Sequence, residues 1–278
     1  GVVAGDRVST IQVNCNEHIE TYFAITSLDA IYVPVNFRVR SEELDVMLSD
    51  SKPKVIFAGS RYHELVKQAT KNNSDVKLFI SMDDESDGWI NYDDLIRDGE
   101  SEDRFPEYDD DDTNIIMYTS GTTGAPKGVM LKHDSFSSYI LANVMPADPD
   151  EEEKNILTVP LHHIAGMQAV ISAIYGGRTL VIQRQFEPYD WMRLVQEEQI
   201  NRAMMVPTML KAILDHKEFP NFDISSLGVI TYGAAPMPAS VIKDAIAKLP
   251  GTRFINAFGQ TETASTITML SPEDHEIT

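Results

Sequence analysis

Residues 8–35 read VSTIQVNCNEHIETYFAITSLDAIYVPV: a β-rich run, an amphipathic stretch with Ile19, Tyr22, Phe23 and Ile25 among its apolar positions, and a second β-rich run. Strand, helix over 17–30, strand is the repeating unit of a parallel sheet covered by helices. The unit recurs. SEELDVMLSDS reads as a helix capped by Ser41, KVIFA as a strand, RYHELVKQATK as a helix and KLFIS as a strand. Further on, NIIMY, ILTVP, TLVIQ, RAMMV, GVITYG, RFINAF and STITML read as strands. Helices are expected at HDSFSSYILANVM, from about His163, and at YDWMRLVQEEQ, PTMLKAILDHK and SVIKDAIAKL. The pattern specifies an α/β fold and excludes all-α and all-β architectures; there is no internal repeat of 20–50 residues.

Residues 83–112 break the alternation with DDESDG, RDGESED and DDDD, turn-rich and charged segments of weak periodicity. They mark the expected connection between a first subdomain, 1–112, and a second, 113–278. Asp109 to Asp112 read as solvated loop, because consecutive side chains diverge and metal loops space their ligands.

The 278 residues carry 43 acidic and 23 basic side chains, a net charge of -20, which argues against a nucleic acid or an anionic membrane surface as partner. Hydrophobic content of 42% is that of a globular protein. Cys15 is the single cysteine, so no intrachain disulfide forms, and no apolar run reaches the length of a membrane span. A cytoplasmic location is expected; the oligomeric state is not readable. The chain opens GVVAGDRV without an initiator methionine and stops at HEIT, as a piece of a longer protein would.

After the NIIMY strand comes YTSGTTGAPKG, residues 118–128. Glycines allow close backbone approach, hydroxyls and N–H groups supply donors, and Lys127 supplies a point charge, a combination suited to phosphate oxygens. It is not the Walker sequence, which needs glycine before the lysine and a hydroxyl after it; here Pro126 and Gly128 stand there.

YTSGTTGAPKG resembles the phosphate-binding signature of the adenylate-forming (AMP-binding) superfamily, which includes acyl-CoA and aryl-CoA synthetases, luciferase and peptide-synthetase adenylation domains. PLHHIAGM (160–167), YGAAPMP (232–238) and NAFGQTET (256–263) resemble three further family motifs in the same order, and GDRVSTIQVNCNEHIETYFAITSLDAIYVPVN its earlier region. The resemblance implies the large N-terminal domain of such an enzyme, with two parallel-rich sheets in a layered αβαβα arrangement, incomplete at both ends and without the C-terminal lid domain. The ribose-binding aspartate and the lid's catalytic lysine would lie beyond Thr278.

By the same resemblance, Thr119, Ser120, Gly121, Thr122, Thr123, Gly124 and Lys127 hold the ATP phosphates. Gly233, Ala234, Ala235, Asn256, Ala257, Phe258, Gly259 and Thr261 surround adenine and AMP. Phe258 stands where the family usually has tyrosine. Thr261 would bond the α-phosphate and Glu262 bind Mg2+, with Lys127, Thr261 and Glu262 forming the catalytic set. His163, Ile164, Gly166, Met167, Val206, Gly259 and Ala264 are the expected acid pocket. Without that context a lone histidine is most often a core residue, and the methionines of AMMVPTML are equally core or pocket wall. By the same resemblance, peptide-synthetase domains tend to carry Phe-Asp near this place, the Asp gripping the α-amino group; here the residues are His162 and His163, so an acid without an ammonium group, fatty or aryl, is favoured.

The implied reaction activates a carboxylic acid with ATP to an acyl adenylate and pyrophosphate, then transfers the acyl group to coenzyme A. A carrier-protein or oxidative second step, or nucleotide binding without catalysis, are the alternatives.

Overall fold

The computed structural model describes residues 1–71, 75–102, 104–107, 109, 111–119, 124–148, 150 and 152–275, with Ser265 described by its backbone only. It divides into two units, Gly1–Ser135 and Phe136–Thr278.

In the first unit β1 (Arg7–Ile11), α1 (Asn16–Thr26) and β2 (Ile31–Pro34) form the expected crossover, with β1 and β2 parallel and Val8 opposite Tyr32. The helix stops at Thr26, short of the expected residue 30, and Asp29 then takes a left-handed conformation at φ 54°. The chain continues through α2 (Ser41–Ser51), β3 (Val55–Ala58), α3 (His63–Thr70), β4 (Leu78–Ser81), β5 (Ile90–Asn91), α4 (Tyr92–Asp98), β6 (Thr113–Thr119) and β7 (Lys127–Lys132). The seven strands order as β5-β4-β3-β1-β2-β6-β7, parallel except for the β6–β7 pair.

Three readings change here. Ser41 is the first residue of α2 and not its cap; Arg40 holds the cap position, its N–H donating to Glu43 Oε2 at 3.2 Å. Residues 83–112 supply β5 and α4 to the first unit, so they do not connect the units. The division falls after Ser135, because β6 pairs with β2 and β7 with β6 inside the first sheet. Asn91 caps α4 by accepting from the N–H groups of Asp93 and Asp94, a local bond that organises a charged segment with little periodicity.

The first core gathers Ile11, Leu44, Leu48, Ile56 and Val66. His18 on α1 is buried within this unit, its Nε2 2.8 Å from Thr10 Oγ1. Burial disfavours the imidazolium and pushes the His18 pKa down to about 4.

α5 (His133–Asn143) leads into β8 (Lys154–Leu157), α6 (Ile164–Tyr175), β9 (Thr179–Ile182), α7 (Pro188–Glu198), β10 (Arg202–Met205), α8 (Pro207–Leu214), β11 (Val229–Gly233), α9 (Ala239–Lys248), β12 (Arg253–Gln260) and β13 (Ser265–Leu270). Their order is β13-β12-β11-β10-β8-β9, again parallel apart from one edge pair, β12 with β13. Pro188 and Pro207 open α7 and α8 at the position where a missing N–H costs no helical bond. Trp191, Met192 and Val195 of α7 pack with Met205, Leu210 and Ile230 in this unit's core.

Among the described residues no helix is long and apolar enough to cross a membrane.

The buried His18 sets a pH dependence. An unfolded histidine titrates near 6.5 and the folded one at about 4, so between these values the unfolded chain binds a proton the folded chain refuses. Stability from this residue is complete above pH 6.5 and falls by roughly 3 kcal/mol as the pH drops to about 4. Urea unfolding from pH 7.5 to 4.5 should show this decline, and His18→Asn should flatten it by about one proton's worth of slope. An unaltered slope would contradict a buried neutral imidazole.

Candidate active site

The phosphate-loop motif begins on β6 and ends on β7. Thr119 pairs with Lys127 as the last rung of the antiparallel ladder, and the connecting turn includes Gly124 at φ +91°, which a side chain would strain. Ser120, Gly121, Thr122 and Thr123 lie outside the described residues. The strand β7 was missed in the sequence, where the loop was expected to run on towards a helix. Its side chains are mostly exposed, so KGVMLK shows no buried face to read.

Tyr118 anchors the hairpin base: its hydroxyl donates to Asp50 Oδ2 at 2.7 Å and lies 3.2 Å from Met47 O, both on α2. Burial, then the bond to Asp50, raises the phenol's pKa above its ordinary value, so it remains a donor. A Cβ on Gly128 would come within 2.8 Å of Ile116 Cγ2 and 3.3 Å of the Tyr118 ring, which accounts for glycine there. Lys127 is exposed and has no hydrogen bond or ion pair among the described residues, leaving its ammonium open to an anion.

In the second unit two of the remaining motifs are brought together by strand register. Tyr232 lies opposite Asn256 and Gly233 opposite Ala257 on the parallel pair β11 and β12. A Cβ on Gly233 would stand 2.1 Å from Ala257 O, so the two backbones approach this closely only with glycine. Ala234 follows in a left-handed conformation at φ 62°, turning the chain away from the sheet. The Asn256 amide is 3.4 Å from Tyr232 O. Ala234, Ala235, Asn256, Ala257, Phe258 and Gly259 line a cavity of about 420 Å³.

Phe258 is 63% exposed at this cavity, and the β12–β13 register shifts between Phe258 and Gly259. An aromatic ring left largely in water does not serve the core; it offers an open face to a flat ligand. Tyr232 also lines the cavity, and its hydroxyl meets His275 Nε2 at 2.9 Å. Burial raises its pKa.

After β12, Thr261–Thr263 form a single 3-10 turn. Thr263 Oγ1 donates to Gln260 O and accepts from Gln260 N, and Ala264 closes the turn at φ 50°. Glu262 projects from it, exposed and without a hydrogen bond or ion pair among the described residues. No group of three or more His, Cys, Asp or Glu suited to a metal occurs among the described residues. One free carboxylate fits Mg2+, which takes most of its ligands from phosphate and water, and does not fit a zinc site made by protein alone.

His163 caps α6 and is exposed at its surface, yet surrounding protein disfavours its charged form and lowers its pKa. Its ring lies 4.2 Å from that of the buried His162. Gly166 and Met167 have packing roles: a Cβ on Gly166 would meet Pro160 O at 2.3 Å, and Met167 is fully buried. Ile164 and Ala264 are buried too. Of the seven expected pocket residues, Gly259 lines the nucleotide-sized cavity; the other six line neither that cavity nor a second one beside it. This second cavity, of about 260 Å³, takes its α6 wall from Gln168, Ala169 and Ser172, directly after the motif. The 3.6-residue period would have extended the motif's face to these positions, but periodicity carries no sign of which face is hollow.

Residues 1–278 match the family described as AMP-binding enzyme. An indoleacetate–CoA ligase of Aromatoleum aromaticum is 28% identical over 276 residues, 99% of this chain and 54% of the relative. The long-chain-fatty-acid–CoA ligase FadD13 of Mycobacterium tuberculosis is 30% identical over 277 residues, 99% of this chain and 53% of the relative. The inhibitor-bound N-terminal domain of FACL13 from Mycobacterium tuberculosis has a TM-score of 0.84 at 29% identity, over 99% of this chain and 67% of that one. The chain thus spans about half the length of the curated relatives it matches. Because the match runs from the first residue to the last, through the strands and turns that build these sites, the protein belongs to the AMP-binding enzyme family.

Proposed function

We propose that this chain carries the nucleotide-binding and acid-binding parts of an AMP-forming ligase that activates a fatty or aryl carboxylic acid and passes it to coenzyme A. The observation that carries the reading is the exposed Phe258 ring at a cavity lined by Ala234 and Ala235, where small side chains admit a purine against the backbone. Relatives named as CoA ligases for indoleacetate and for long-chain fatty acids support the acyl transfer and leave the acid open.

In this reading the acid's carboxylate attacks the α-phosphorus of ATP, an anhydride bond forms and the bond to pyrophosphate breaks. The protein's part is positioning and charge stabilisation. Lys127 neutralises charge on the leaving pyrophosphate, and Thr119 with the loop donors holds its oxygens. Thr261 donates to the α-phosphate. Glu262 would hold Mg2+, which supplies further neutralisation of the phosphates when bound. The sulfur of coenzyme A then attacks the acyl carbon and AMP leaves with the bonding pair; no protein nucleophile takes part.

Neither histidine of the HH pair offers a carboxylate for an ammonium group, which favours acids without one.

Phe258→Ala should weaken AMP binding to the 278-residue chain by about 1–3 kcal/mol, roughly 5- to 150-fold, the worth of one base stacked on one ring. Its urea midpoint should stay where it is, since the ring is exposed. Calorimetry with AMP checks both the site and its specificity; unchanged affinity removes adenine from this cavity. In the complete enzyme, Lys127→Ala should slow acid-dependent pyrophosphate exchange into ATP far more than it slows thioester formation from preformed acyl adenylate. Equal losses in the two half-reactions would take the phosphate role from Lys127.

A further inference from the structure

The second cavity of the Phe136–Thr278 unit adjoins the nucleotide-sized one through Ala257, which lines both. Its direction follows from strand register. Ala257 stands level with Gly233, Val229 lies four residues back along β11, and Arg202 is opposite Val229. At about 3.3 Å per residue the cavity runs roughly 13 Å along the sheet, from the nucleotide side to Arg202.

The wall is not that of an apolar tunnel. Near the Ala257 end, Thr266 Oγ1 donates to Gln168 Oε1 at 3.4 Å, and Tyr139 from α5 lines the same space. At the far end stand two guanidinium groups. Arg178 donates through Nε to Glu153 Oε2 at 2.7 Å and through Nη1 to Ser172 O at 3.4 Å, while Arg202 donates through Nε to Glu153 Oε1 at 2.7 Å. One carboxylate therefore serves two cations, and one positive charge is left over. Both amino nitrogens of Arg202 lack a partner among the described residues, in a side chain only 30% exposed. A guanidinium so placed has its fork available for an oxygen acceptor.

Resting on the adenylation reading above, we infer that the acid accepted by this site is compact and carries a second oxygen function, a carboxylate or hydroxyl, at its far end, recognised by Arg202 beside Arg178. A cavity of about 260 Å³ falls below the range of roughly 300–1,000 Å³ usual for drug-sized ligands, and burying an alkyl end against unpaired guanidinium nitrogens costs their hydration with nothing in return. Long alkyl acids are disfavoured on both counts.

The test uses acyl-sulfamoyl adenosines, non-reactive mimics of an acyl adenylate, with acyl chains of equal length ending in methyl, hydroxyl or carboxylate. Calorimetry with the 278-residue chain should show the two oxygen-tipped compounds binding about 10-fold or more tightly than the methyl-tipped one. Arg202→Met should erase that advantage. Because Arg202 also holds Glu153, Ser172→Leu provides a second variant that fills the far end while keeping both arginines, Glu153 and the main-chain oxygen that Arg178 bonds, and it should weaken all oxygen-tipped binding. AMP binding, measured on each protein, reports whether the nucleotide cavity is intact. Equal or tighter binding of the methyl-tipped compound, with AMP still bound, overturns the inference and leaves the adenylation reading standing. Failure of the unmodified chain to bind AMP and all three compounds overturns both.

Discussion

The contact on which the candidate nucleotide site depends is backbone against backbone: Gly233 beside Ala257 on adjacent parallel strands, with room for no side-chain atom between them. This one register places a turn of small residues and a strand 25 or so residues later around the same space. The polypeptide then leaves the sheet at once, through the left-handed Ala234 on β11 and through the register shift after Phe258 on β12. Ligands of open α/β sheets gather where strands end and chains diverge, and here the divergence itself exposes the aromatic ring.

The phosphate loop reaches a similar end by different means. In a Walker protein the glycine loop enters a helix, and the helix N-terminus supplies part of the field. Here the described flanks of the loop are two antiparallel strands, Thr119 facing Lys127, with the tyrosine at the base tied to α2. Among the described residues Lys127 is exposed and makes no ion pair, and at the next position a side chain would have to fit against Ile116 and Tyr118.

In the α6 motif two of the expected pocket residues have packing roles. Gly166 and Met167 are required by packing, one for close approach to Pro160 and the other for the core. The second cavity is lined by the α6 residues that follow, Gln168, Ala169 and Ser172, outside the recognisable segment. Likewise the acidic stretch at 83–112, which looks like a connection by composition, contributes an edge strand and a short capped helix, because two hydrogen bonds accepted by Asn91 and pairing of Ile90 with Ile80 outweigh weak periodicity.

The sequence by itself determined the class of fold, since alternating β-rich runs and amphipathic windows leave parallel sheets as the main way to bury both. It also determined the family, through four motifs in order, and the strand that carries Phe258. Tertiary structure alone decided where the chain divides, that β7 exists, and that Phe258 faces solvent. It also decided that Arg178 and Arg202, 25 and 49 residues from Glu153, share its carboxylate. The reason is physical: local patterns report which residues want burial and which turn the chain, whereas strand register, cavities and shared charges arise only when segments distant in sequence are packed against one another.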